Sequence, residues 1–355
     1  MQTKKKVFVG MSGGVDSSVA ALRLQKQGYN VVGVFIKVWH PDFMVCNWEQ
    51  ERLDSMRVAA HLNIPFLTCD AEAEYRDEVA HYFIEAYRAG KTPNPDVMCN
   101  KKVKFGAFLR FAKSHGADCI ATGHYAQKKI INSKAELHRG VDTNKDQTYF
   151  LWTLTKEQLD YSLFPVGDTP KEQIRKEAER ADIPVANKKD SQGICFLGHV
   201  DIPEFLSNYI NLVPGDVLNI DGEVIGKHVG ALVYTNGQRH GFTVANAVSN
   251  QEPLYVCDRD IKNNTITVAL HTDILPSTAD TQEKISDVVL RSQLAVGEKV
   301  EYQIRYRQQP IPGKVTTITE SSLTLTPDIK TESASSGQSC VVYQGSHCLG
   351  GGIVL

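Results

Sequence analysis

The run Gly10-Met11-Ser12-Gly13-Gly14-Val15-Asp16-Ser17 lies between the apolar stretch Val7-Phe8-Val9 and a helical pattern of Val15, Val19, Leu22 and Leu24. Strand, glycine turn and helix in that order expose backbone N–H groups at a helix N-terminus, where a phosphate can be held. Gly13 and Gly14 let the chain approach an anion closely and take up positive φ. Ser12 and Ser17 add hydroxyl donors, and Asp16 is placed to help hold a magnesium ion. The Gly-Lys-Ser/Thr ending of a Walker loop is absent, so this is a different phosphate grip.

Two cysteines stand in lysine-rich surroundings. Cys99 follows Asn94-Pro95-Asp96 and precedes Lys101, Lys102 and Lys104. Pro93 and Pro95 prevent a helix from forming before Asp96, which puts Cys99 near a helix start. Cys195 lies in Asp190-Ser191-Gln192-Gly193-Ile194-Cys195-Phe196, with Lys188 and Lys189 just upstream. Helix N-termini and nearby lysines lower a thiol's pKa and raise its thiolate fraction, so both residues are candidate reactive thiols. The ordinary fate of a free cysteine is inert burial, which is expected of Cys119 inside its strand. None of the eight cysteines forms a Cys-x-x-Cys pair, so a zinc site has little support.

These residues need a frame. A chain of 355 residues is expected to hold two or three domains. Its 42% hydrophobic and 23% charged content is that of a globular protein. No apolar run reaches the length of a membrane span, and residues 1–6 lead straight into the first strand without room for a signal peptide. A cytoplasmic location is therefore expected. With a net charge of −2, a nucleic acid would have to be met by local basic clusters.

Asn30–Ile36 reads as a strand buried on both faces. A helix is expected over Glu51–Leu62, with Leu53, Met56, Val58, Ala59 and Leu62 facing the sheet. Ile64–Thr68 follows as a strand and Ala71–Arg88 as a long helix, while Asp118–Ala126 is a strand ending in a turn at Gly123-His124. Thr169-Pro170-Lys171-Glu172 reads as a capping box with proline at the first helical position. This alternation predicts a doubly wound parallel sheet that binds ligands at its carboxyl ends. Helical patterns stop after Ile202–Ile210. Lys299–Arg307 alternates apolar and polar residues as a half-buried antiparallel strand does, and the segments Ser322–Thr326 and Cys340–Tyr343 resemble it, so the C-terminal part reads as a small β-barrel.

Gly10–Ser17 resembles the PP-loop of ATP pyrophosphatases, which grip pyrophosphate and transfer AMP to a substrate oxygen. Further motifs are Asn94-Pro95-Asp96 with Cys99-Asn100-Lys101, Thr122-Gly123-His124-Tyr125, Asn144-Lys145-Asp146-Gln147 and Asp190–Phe196. Gly237-Gln238-Arg239, Arg305-Tyr306, Gly337-Gln338-Ser339 and Cys348–Gly352 complete the set. Together they resemble, over nearly the whole chain, the tRNA-specific 2-thiouridylases, which place sulfur on the wobble uridine of certain tRNAs.

The resemblance implies a PP-loop α/β domain over 1–210, a small β-rich central domain over 211–275 and a β-barrel over 276–355. It implies that Gly10, Met11, Ser12, Gly13, Gly14, Val15, Asp16 and Ser17 hold ATP, with Ile36 and Gly123 lining the nucleotide pocket. Asn94, Pro95 and Asp96 would touch the target base, with Asp96 as general acid/base. Cys99 would be the nucleophile and Cys195 the persulfide carrier. His124, Lys145, Asp146, Gln147, Arg305, Tyr306 and Gln338 would contact tRNA. ATP and Mg2+ are the implied cofactors. The implied partners are tRNA, a persulfide sulfur-donor protein and a reductant for a Cys99–Cys195 disulfide. The loop from Lys37 to Glu49 departs from the family pattern, and Trp39, His40 and Cys46 receive no role. Two other readings stay open: a PP-loop ligase adenylating a small molecule, and a tRNA-binding protein with a decayed nucleotide site.

Overall fold

The computed structural model describes residues 4–44, 48–190, 193, 195, 198, 201–245, 252–270, 273, 282–331 and 334–355. Cys46 and the neighbours Ser191, Gln192, Ile194 and Phe196 of Cys195 lie outside them.

Five parallel strands form the first sheet, in the order β3-β2-β1-β4-β7: β1 Lys6–Met11, β2 Asn30–Lys37, β3 Phe66–Asp70, β4 Cys119–Ala121 and β7 Ser162–Leu163. Side-chain alternation splits the apolar runs between two faces. Phe8, Val32, Val34 and Ile36 pack with Tyr75, Val79, Val103 and Phe108 on one side. Val7, Val9, Met11 and Val31 pack with Val19, Leu22, Val58, Ile174 and Ala178 on the other. Burial on both faces is why these strands read as continuous hydrophobic runs. The order reverses between β1 and β4, and ligands bind at such a switch point in doubly wound sheets.

Two helical readings need correction. The helix Trp48–His61 buries Asp54, Ser55, Val58 and Ala59, whereas Leu53 and Met56 face solvent. Polar partners override the apolar pattern there, because Ser55 Oγ donates to Glu51 O and Asp54 is paired with Lys188. The helix Lys171–Arg180 has Pro170 at its cap position, not inside its first turn, and no side-chain capping bond. Thr169 Oγ1 is engaged instead with Arg23 and Asp168.

The central sheet runs β10-β9-β8-β12-β11, from β8 Gly215–Leu218, β9 Val224–His228, β10 Phe242–Val244, β11 Leu254–Asp260 and β12 Thr265–Leu270. Six antiparallel strands then close the barrel, β13-β16-β15-β14-β17-β18 with β13 also pairing β18. They are β13 Glu283–Leu290, β14 Lys299–Gln303, β15 Ile311–Ile318, β16 Ser322–Pro327, β17 Ser339–Gln344 and β18 His347–Val354. The strand expected to reach Arg307 stops at Gln303, since the chain turns there and Arg307 has positive φ.

The barrel is fused to the first domain. A hairpin of that domain, β5 Ala126–Ile131 and β6 Lys134–Arg139, extends the barrel sheet beside β18. Leu137, Tyr149 and Trp152 share one apolar core with Val341, Tyr343 and Cys348. Buried Arg291 donates to the carbonyls of Trp152, Leu154 and Cys348, satisfying backbone acceptors from both sides of the junction. No helix among the described residues is long and apolar enough to cross a membrane.

Candidate active site

The PP-loop turns sharply at Gly13, whose φ is +67° and whose missing Cβ would lie 2.6 Å from the Glu51 carbonyl oxygen. Gly14 has ordinary negative φ and caps the helix Val15–Lys26, so only the first glycine uses the left-handed region. Ser17 Oγ accepts from Ser12 N–H at 3.3 Å and lies 3.4 Å from Ser12 Oγ, which gathers both hydroxyls at the loop. Met11 and Val15 are buried core residues, and Ile36 lies against Gly10. Their part in the loop is to fix its backbone.

The sequence did not single out the partners of Asp16. Lys171 Nζ reaches both Asp16 carboxylate oxygens, at 2.7 and 2.8 Å, and Tyr125 OH donates to the first at 2.7 Å. Lys171 also pairs with Asp190 at 2.9 Å, as do Lys145 at 2.8 Å and Arg175. Burial alone would raise the Asp190 carboxyl, but hydrogen bonds from Lys145 and Lys171 hold it well below the usual carboxylate range. Arg23, paired with Asp168 and Glu177, pins the Lys171 helix against the PP-loop helix. Lys171 is far away in sequence and sits in no phosphate motif, so its role was legible only from the tertiary contact.

Gly123 joins this phosphate end to the thiols. A Cβ there would lie 2.6 Å from Ser17 N and 2.8 Å from Asp16 C, so the backbone of this turn rests directly on the loop. The next residue, His124, is buried; its Nδ1 lies 2.8 Å from Thr122 Oγ1 and its Nε2 3.4 Å from Lys104 Nζ. Burial and the Lys104 charge keep the His124 imidazole neutral, well below its ordinary pKa.

Lys104 in turn serves the two cysteines. Cys99 and Cys195, 96 residues apart in the chain, have their sulfurs 3.5 Å apart, with Cys99 Sγ donating. Cys195 N–H donates to Asp96 Oδ1 at 2.7 Å, and its carbonyl accepts from Tyr75 OH at 3.0 Å. Asn94 caps the helix Pro95–Cys99 by accepting from Val97 N–H at 3.1 Å. A π-helical segment, Asn100–Ala107, continues it and carries Lys104 toward the sulfurs.

The two thiols are electrostatically unlike. Burial pushes the Cys99 thiol well above its ordinary value. The hydrogen bond from Cys99 together with the Lys104 charge outweighs burial at Cys195 and lowers its pKa. Of the lysines expected to do this, Lys102 is paired with Glu78 at 2.6 Å and Lys188 with Asp54 at 2.8 Å, whereas Lys104 does reach the sulfurs. Burial would lower the Lys104 ammonium, but its contact with Cys195 outweighs this and raises it. Asp96 is raised by burial, which favours its protonated form.

The residues expected to meet tRNA divide. Arg305 and Tyr306 line an open concavity with Arg307, Gln308 and Thr331. Gln338 lies in a turn whose neighbour Ser336 accepts from Thr92 N–H at 2.8 Å. Thr92 Oγ1 lies 3.2 Å from Thr235 Oγ1, and Arg259 donates to Gly90 O at 3.0 Å. The segment entering Asn94-Pro95-Asp96 is thus touched by both other domains. Asp146, by contrast, is buried and bonded to Arg139, Gly140 N–H and Thr148. Gln147 is tied to the Tyr125 backbone, Lys145 to Asp190, and His124 lies against Lys104.

Three family models cover the chain in order: a tRNA methyl transferase HUP domain over 5–199, a tRNA methyl transferase PRC-barrel domain over 203–270 and an aminomethyltransferase beta-barrel domain over 285–354. The tRNA-specific 2-thiouridylase MnmA of Proteus mirabilis is 44% identical over 99% of this chain and 97% of its own length. That of Klebsiella pneumoniae is 45% identical with the same coverage. The chain belongs to the tRNA-specific 2-thiouridylase family. All three domain families carry methyltransferase wording in their names, whereas the full-length relatives are 2-thiouridylases. The HUP match likewise makes this thiouridylase-family chain an ATP user.

Proposed function

We propose that this protein uses ATP to thiolate the wobble uridine of tRNA at its 2-position. The observation that carries the reading is the meeting of Cys99 and Cys195, 3.5 Å apart beside Asp96 and Lys104 and linked through Gly123-His124 to the PP-loop. A uridine carbonyl oxygen is a poor leaving group. It first attacks the α-phosphate of ATP and releases pyrophosphate, so that AMP becomes the leaving group.

The PP-loop N–H groups and the Ser12 and Ser17 hydroxyls bind the departing phosphates. Asp16 and Asp190 offer hard carboxylate oxygens suited to magnesium, with Lys171 between them. When bound, the ion would offset charge on the pyrophosphate. Asp96, its carboxyl raised by burial, exchanges a proton at the base.

Cys195 accepts sulfur as a persulfide from a donor protein, and its terminal sulfur replaces AMP at the uridine carbon. Cys99 then attacks the Cys195 sulfur, breaking the persulfide S–S bond and leaving the thiolated base and a Cys99–Cys195 disulfide. A second route, in which Cys99 first releases hydrosulfide, gives the same products. An external reductant returns the pair to thiols, as the reducing cytoplasm provides. The Cys99 hydrogen bond and the Lys104 charge lower the Cys195 pKa, which raises the thiolate fraction that this chemistry needs.

The concavity at Arg305–Gln308 fits the tRNA backbone, since arginine and tyrosine side chains supply phosphate contacts. Asp146 and Gln147 would act on tRNA through the turn that they brace. The test is ATP–pyrophosphate exchange with and without a wobble-uridine tRNA, followed by mass analysis of its nucleosides. Exchange that requires tRNA and a gain of one sulfur for oxygen at the wobble base supports the reading. Exchange without tRNA but with a small carboxylate would replace it with that of a small-molecule ligase.

A further inference from the structure

We infer that Glu136, His138 and His347 form a divalent-metal site of the zinc class at the seam between the first domain and the barrel. Two β-strand rules build it. Glu136 and His138 are alternate residues of β6 and share one face, and His347 is the direct partner of His138 across the β6–β18 register. Glu136 Oε2 lies 3.0 Å from His138 Nε2 and 3.5 Å from His347 Nδ1, and one ligand atom from each residue can be drawn so that all lie within 4.8 Å.

Ligand atoms of a tetrahedral zinc stand roughly 3.3 Å apart, given metal–ligand bonds of about 2.0–2.1 Å. The two carboxylate separations already match that spacing. Only the imidazoles, stacked at 5.0 Å between centroids, have to draw together.

Two neutral imidazoles and one carboxylate are a donor set for zinc or a similar transition ion, and a poor one for magnesium or calcium. His138 Nδ1 lies 3.0 Å from Ser346 Oγ, the outer hydrogen bond that fixes the ring and leaves Nε2 for a metal. His347 presents Nδ1 to Glu136, the atom through which it would ligate, while its Nε2 is buried and has no hydrogen-bond partner among the described residues.

The position explains a use for the ion. His347–His138 is the single register pair between β6 and β18 among the described residues, so the hairpin is held to the barrel sheet by a short ladder. A metal there would staple the two domains together, outside the catalytic pocket.

The test uses the full chain with Cys99→Ser and Cys195→Ser, so that the facing thiols cannot bind metal. Zinc and cobalt(II) are added separately to metal-free protein. One zinc per chain should survive desalting and raise the melting temperature. Cobalt should give visible d–d bands without a thiolate charge-transfer band. His138→Gln and His347→Gln should each weaken zinc binding by about tenfold or more and abolish the thermal shift. If either fails to fold, as judged by circular dichroism, Glu136→Gln is read in its place with the same expectation. Absence of retained zinc, an unchanged shift in the histidine variants, or a cobalt–thiolate band would each overturn the assignment.

Discussion

Replacing Gly123 by alanine tests whether the turn after β4 sets the position of the PP-loop. The new Cβ would stand 2.6 Å from Ser17 N, 2.8 Å from Asp16 C and 3.0 Å from Asp16 Cβ, all on the loop itself. Ordinary contact begins near 3.4 Å, so one segment must retreat by about 0.8 Å. Overpacking of this kind costs about 1–3 kcal/mol. The larger effect is on chemistry, since misplacing reacting groups by about 1 Å can cost on the order of 100-fold in rate.

Gly116→Ala is the control. Gly116 has φ +74° with nothing within 4 Å of the added atom, so only backbone strain of about 1–2 kcal/mol applies. AMP release with ATP and tRNA, measured beside thermal melting, should show Gly123→Ala catalytically crippled and Gly116→Ala near normal, both somewhat less stable. Near-normal AMP release from Gly123→Ala would refute the claim that this contact places the loop.

Lys171→Met should sharply reduce AMP formation, because Asp16 and Asp190 lose the cation between them; unchanged AMP formation would remove Lys171 from the phosphate site. Iodoacetamide at neutral pH should modify Cys195 before Cys99, and Lys104→Met should shift Cys195 alkylation to higher pH by removing the charge that lowers its pKa. Peptide mapping that found Cys99 modified first would reverse the assignment of the thiolate. Arg305→Ala should weaken tRNA binding and flatten its salt dependence by about one phosphate contact, measured at several salt concentrations, with ATP affinity unchanged. Asp190 has a folded pKa below its unfolded value, so its stabilisation is present above the usual carboxylate range and is lost as pH falls through the folded value. Denaturant midpoints of wild type and Asp190→Asn should therefore differ at pH 7 and converge in acid.

The sequence by itself determined the elements and the chemically capable residues. Apolar runs such as Val7–Val9 and Asn30–Ile36 are continuous because both faces are buried, and that pattern is local. The Ser-Gly-Gly-Val-Asp-Ser turn is likewise local, since its φ and its hydroxyls come from adjacent residues. The two cysteines could be selected from eight by their neighbours, yet which lysine reaches which sulfur could not. Lys102 and Lys188 pair with acidic residues, and Lys104, a neighbour of Cys99 in the sequence, reaches Cys195 only through the fold. A thiol's pKa depends on charge and burial in space, and neighbours along the chain fix neither. The same holds for Lys171 on Asp16, for the hairpin that joins the barrel sheet, and for Glu136, His138 and His347. Those contacts close loops of tens to hundreds of residues, and only the packed cores decide which distant side chains meet.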